Sequence, residues 1–155
     1  MSQPPTVSPL AVCLQLTHAI SRTDRLDDIF EAALDALAVG LNVQRASIHL
    51  FDPDGAPRFT DASRHPIDGQ CVAQSIESFA LGASEVPALL ADARRVLDFG
   101  LDRMRRRDGA FVFQRQRRFV NRAPHVRWVE APMLSALVRL DEAERRAAPA
   151  RGASR

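Results

Sequence analysis

The sequence predicts a mixed α/β domain, and three observations carry that expectation. From Leu10 to Ile20 and from Leu26 to Leu37, apolar residues recur at the three- and four-residue spacing of amphipathic helices. At Ala46, Ile48 and Leu50 the period drops to two, the mark of a half-buried strand. Asp52-Pro53-Asp54-Gly55 then forms a strong turn signal, after which Pro57–Asp61 can return as a second strand with Phe59 facing inward. Residues 9–61 thus read as helix, helix, strand, turn, strand.

The first helix opens at Ser8, whose hydroxyl can cap a free N–H, and Pro9 loses no hydrogen bond at the first helical position. Leu10, Cys13, Leu16 and Ile20 make its apolar side. Ser21–Thr23 interrupts the pattern. Thr23 or Asp24 caps the second helix, and Asp27 and Asp28 place negative charge where the helix dipole favours it. Leu26, Ile29, Phe30, Ala33, Leu34 and Leu37 form its face, and Gly40 is a natural end. Past Arg64 the signal weakens. His65–Gly69 reads as loop, Gln70–Leu81 as helix, and Ser84–Arg107 as partly helical with Pro87 in its first turn. Asp108–Gly109 is a turn, followed by short strands at Ala110–Phe113 and Arg118–Val120. Val126–Glu130 alternates like another strand, with Val126 and Trp128 on one face. Pro132–Arg146 is a further helix. Residues 1–8 and 147–155 read as disordered ends around one domain, 9–146.

The length of 155 residues suits a single domain. No apolar run approaches the roughly 20 residues of a membrane span, and Met1–Pro9 does not read as a signal peptide. Two cysteines, Cys13 and Cys71, are too few for a disulfide scaffold and fit a reducing cytoplasm. Tyrosine is absent, which excludes tyrosine chemistry. The net charge of +2 hides an uneven distribution. Residues 1–93 hold 12 acidic residues and 5 arginines, whereas 94–127 hold 11 arginines and 3 aspartates. There is no lysine, so part of the arginine count is a composition bias.

Residues 14–61 resemble the opening of a GAF domain. The matching pieces are Leu26-Asp27 after a short break, the strand Arg45-Ala46-Ser47-Ile48, and the Asp-rich turn Asp52-Pro53-Asp54-Gly55. The resemblance implies a central antiparallel sheet with helices packed on one side. It also implies a sensory module of signal transduction without catalysis of its own, often joined to an output domain such as the histidine kinase of a two-component system. Such modules sense a small ligand or serve as dimer scaffolds through their terminal helices. Here the first helix, with Leu10, Leu16 and Ile20, is the expected homodimer element. Residues 65–155 carry neither the separated Asn-Lys and Phe-Asp-Glu set of cyclic-nucleotide-binding members nor the Cys-His pair of bilin-binding ones, since Val72 follows Cys71. The ligand or cofactor therefore stays open. This later part is a divergent or truncated continuation, or the product of a shifted reading frame in GC-rich DNA.

No catalytic or metal-binding set can be assembled. His18, His49, His65 and His125 lack zinc-site spacing, and the cysteines form no C-x-x-C. His49, on the strand, can offer a ligand a hydrogen bond. Cys13 is expected in the core. Cys71 near His65 is read as an inert thiol rather than a nucleophile. Asp52, Asp54, Asp61 and Asp68 lack calcium-loop order, and the turn accounts for the first two. The rival signal is basic. Arg103, Arg105, Arg106 and Arg107 precede Phe111 and Phe113, then Arg115, Arg117, Arg118 and Phe119 follow. Guanidinium groups hold phosphates and aromatics stack on bases, so 94–127 offers a nucleic-acid-binding module as the alternative.

Overall fold

A computed structural model describes residues 9–21, 25–41, 48–59 and 62–148. The fold is of the expected class: a small, open antiparallel sheet with helices packed around it. The chain divides into two compact units, Met1–Ile48 and His49–Arg155. Among the described residues no helix is long and apolar enough to cross a membrane.

The first unit is a helical pair, α1 (Pro9–Ile20) packed on α2 (Leu26–Leu41). Asp27 and Asp28 sit in the first turn of α2, as the dipole favours. Ser8, Thr23 and Asp24, the expected caps, lie outside the described residues, as do the side chains of Leu16 and Ile20. Cys13 departs from expectation, because it is exposed rather than in the core. Leu10 and Leu14 flank it and are 68% and 61% exposed. Periodicity finds the apolar side of a helix but does not say what covers it.

In the second unit the Asp-rich turn forms as expected. Gly55 N–H donates to the Asp52 carbonyl (2.9 Å), Asp52 N–H to the Ala56 carbonyl (2.9 Å), and Ala56 N–H to Asp54 Oδ1 (3.2 Å). The flanking strands do not extend from it. Residues 45–47 lie outside the described region, 48–50 are not in a strand, and pairing reduces to one bridge, Phe51 with Pro57. Ile48 and His49 are exposed, and Phe59, expected inside, is exposed too. The reason is where the hairpin docks. Phe51 packs on Phe79 (ring centroids 5.2 Å apart), Ala56 is fully buried, and the backbone of Gly55 lies against the Arg95 carbonyl. The turn, not an alternating strand face, makes the contact.

The sheet lies elsewhere. The segment expected as loop at His65–Gly69 contains β1 (Ile67–Asp68), which pairs antiparallel with β2 (Gln114–Arg115), itself antiparallel to β3 (Val120–Asn121). Asp68 also caps the next helix, α3 (Gly69–Gly82): its Oδ1 accepts from Gln70 N–H at 2.8 Å. After α4 (Leu89–Phe99) comes a π-helical turn, Gly100–Met104. Another such turn, Val126–Glu130, replaces the strand expected there and runs into α5 (Ala131–Ala147). Val129, Met133, Ala136, Leu140 and Ala143 are buried at helical spacing, so the inward stripe of α5 already starts at Val129. The five-residue alternation leaves Val126 and Trp128 in solvent.

Helix α3 is the hub, packed on both α4 and α5. Its Val72 and Ile76 are fully buried beside Val96 of α4 and Met133 of α5. The buried Ser75 hydroxyl donates to the Cys71 carbonyl (2.6 Å), so this polar group is not left unpaired.

Candidate functional site

Two consecutive hairpins build one cleft. The first runs from Met104 to Val112. Val112 N–H donates to the Met104 carbonyl (2.8 Å), and Arg106 N–H to the Ala110 carbonyl (2.7 Å). Gly109, at φ +92°, lets the chain reverse after Arg107–Asp108. The second hairpin is β2–β3, closed by Gln116 N–H donating to the Phe119 carbonyl (2.8 Å). Between them lies a cleft of about 540 Å³ lined by Arg103, Arg105, Arg106, Arg107, Arg115 and Arg122, with Asp108, Val112 and Val120. Six arginines and one aspartate thus contribute to its lining.

The arginines divide into two kinds. Some staple the walls together. Arg115 donates from Nε and Nη2 to the Arg103 carbonyl (3.2 and 2.9 Å), tying β2 to the π-helical turn. Arg106 donates from Nη1 to the Arg122 carbonyl (3.1 Å) and from Nη2 to Asp108 (2.6 Å), tying one hairpin to the other. Arg103 pairs with Asp102 at 2.7 Å. Arg105, Arg107 and Arg122 are exposed, and among the described residues their side chains have no ion pair or hydrogen bond. The cleft therefore has a braced frame and three charges free to meet a ligand. It offers planar donors suited to phosphate or carboxylate oxygens, while none of its lining residues is a Ser, Thr, Cys or His.

The other candidates are scattered. His18 and His49 are exposed. His65 Nδ1 lies 3.3 Å from the Arg115 carbonyl, and the His125 ring packs tilted against Phe113 with centroids 4.2 Å apart. Cys71 is half-buried; burial pushes its thiol up and the negative charge of Asp68 adds to this, opposite to what a nucleophile needs. Asp52 pairs with Arg58 and Arg64, and Asp54 with Arg64. Burial raises the Asp54 carboxyl, but hydrogen bonds from Arg64 and Ala56, with the Arg64 charge, hold it below its ordinary value overall. Asp61 lies outside the described residues, and Asp68 is occupied as the α3 cap. Among the described residues no three His, Cys, Asp or Glu side chains converge on a point.

Of the basic stretch picked out by composition, Arg103, Arg105, Arg106, Arg107 and Arg115 come together in the cleft. Arg94 and Arg95 do not: they pair with Glu144 (2.7 Å) and Asp92 (3.0 Å). Phe111 is buried, Phe113 is half-buried, and Phe119 stands out in solvent. Arg122 joins the cleft although its sequence neighbours gave it no prominence. Its signal is period two: Val120 and Arg122 share a face of the returning chain, and Val120 is opposite Arg115.

No protein-family profile, curated protein or solved structure matches the chain.

Proposed function

We propose that this chain is a regulatory binding module that takes a phosphate-bearing ligand in the arginine cleft and performs no chemistry on it. One observation carries the reading: six arginines from two hairpins and a π-helical turn face one cavity that a single carboxylate lines. Like charges so gathered repel one another, and a polyanion relieves that repulsion while filling the open donors of Arg105, Arg107 and Arg122. The size lies within the roughly 300–1,000 Å³ of small-ligand sites.

Inorganic tripolyphosphate is a sufficient probe, since a ligand that binds the folded state raises its thermal midpoint by mass action. The midpoint is expected to rise with tripolyphosphate at low salt. The apparent affinity should fall about tenfold or more in R105Q/R107Q, by analogy with charge-assisted hydrogen bonds worth roughly 1.5–3 kcal/mol. Both side chains are exposed and, among the described residues, unpaired, so the variant should melt no lower than the parent when no ligand is present, and higher to the extent that neutralising two charges relieves the repulsion. No rise, or an equal rise in the variant, excludes the cleft as the site.

A second reading follows from the resemblance of 14–61 to a GAF domain: a sensor that dimerises through its first helix and passes a signal to an output domain such as a histidine kinase. The exposed Leu10 and Leu14 on α1 support it. On this reading the chain sediments as a dimer, and L10S/L14S weakens association by about tenfold or more, since burying each leucine contributes about 1.5–3 kcal/mol. A chain that stays monomeric at high concentration rules the reading out.

A further inference from the structure

We infer that the ligand of the arginine cleft is single-stranded nucleic acid, an assignment that rests on the anion-binding reading above and narrows it. The added observation is an aromatic side chain in the wrong place for a core. Phe119 is 64% exposed at the end of the β2–β3 turn. The same hairpin supplies Arg115 and Val120 to the cleft wall, so the ring stands on the structure that holds the arginines. Arg117 and Arg118 precede it, both exposed and without an ion pair among the described residues. The two phenylalanines before it in sequence are spent differently: Phe111 is buried in the core, and Phe113 packs tilted against His125.

A free phosphate or a small phosphorylated metabolite uses guanidinium groups alone and leaves an exposed phenyl ring unexplained. A strand of unpaired nucleotides uses both. Its phosphates follow the charges from the cleft to the turn, and a splayed base stacks on the ring. Duplex DNA fits less well. Its bases are already stacked, and its major groove is read by a helix or a longer ribbon than this two-residue pairing provides.

Fluorescence anisotropy with the whole chain tests this, using labelled oligothymidylate of about 16 nucleotides, the upper end of the site size for one small domain. The comparison ligands are a duplex of equal length, heparin and tripolyphosphate. The single strand is expected to bind at least about tenfold tighter than the duplex. Its log affinity should fall linearly with log salt, with a slope of about −0.7 per phosphate neutralised. F119A should weaken it about five- to hundredfold, the range for losing one base–aromatic stack, and F119W should restore it. The tripolyphosphate midpoint shift should not change in F119A. If F119A leaves single-strand affinity unaltered, or duplex or heparin binds as tightly, the assignment is overturned while the anion-binding reading stands. If R105Q/R107Q changes neither single-strand nor tripolyphosphate binding, both fall.

Discussion

Replacing Gly55 by alanine is expected to destabilise the second unit by about 2–5 kcal/mol, from two separable costs. The first is conformational. Gly55 sits at φ +85°, a left-handed conformation that costs an L-residue roughly 1–2 kcal/mol. The second is steric. A Cβ built there lies 2.6 Å from the Arg95 carbonyl oxygen and 2.8 Å from its carbon. These are backbone atoms of α4, so no side-chain rotation relieves the overlap, and overpacking of this kind costs about 1–3 kcal/mol. Gly109 supplies the control. Its φ of +92° imposes the same conformational cost, but the nearest atom to its added Cβ is the flexible Arg105 Nη2 at 3.9 Å. Gly109→Ala should therefore lose only about 1–2 kcal/mol. Urea unfolding of the two variants beside the parent measures both, and the difference between them isolates the docking of the Asp-rich turn on α4. Equal losses would mean that the turn does not pack there.

That contact also explains what local sequence conveyed and what it did not. The turn at Asp52–Gly55 is specified by four adjacent residues, whose preferences are local, so it was legible. The same holds for α2, where a sixteen-residue helix repeats its apolar face often enough to fix the period. The strands had no such advantage. Each has two residues, too few for alternation to register, and β1 finds its partner far away in sequence: Ile67 lies opposite Arg115 and Asp68 opposite Gln114. The short alternation at Val126–Glu130 misled for the complementary reason, because Val129 belongs to the helical stripe that continues through Met133 and Ala136. The core itself sits where the sequence was hardest to read. Apart from Ala56, every buried apolar residue of the second unit's core lies at or beyond Ile67. Within that stretch the buried residues of α3, α4 and α5, among them Val72, Ile76, Val96, Met133 and Leu140, recur at helical spacing. The site was half legible. Composition located the arginines, but only the hairpin register separates those that staple the cleft, Arg106 and Arg115, from Arg105, Arg107 and Arg122, whose side chains have no partner among the described residues.

The core and the cleft meet at Met104, which makes its truncation the second large effect. Met104 ends the π-helical turn, is 0% exposed, and its carbonyl accepts the Val112 N–H that closes the first hairpin. Its sequence neighbours, Arg103 and Arg105, both line the cleft. Met104→Ala is expected to destabilise the unit by about 2–5 kcal/mol, through lost burial and the cavity left behind. Met104→Leu keeps nearly the same volume and should cost less than about 1.5 kcal/mol. Leu134→Ala is the reference, because that leucine is mostly exposed on α5 and its loss should be small. Urea unfolding ranks the three. An alanine cost at position 104 no larger than at 134 would place Met104 outside the core. If the ranking holds, tripolyphosphate distinguishes anchoring from mere stability. With the anchor truncated, the first hairpin can shift against β2, and the Arg115 fork no longer holds the Arg103 carbonyl in register. Tripolyphosphate affinity should then fall in Met104→Ala even at temperatures where that variant is fully folded, and remain near the parent value in Met104→Leu.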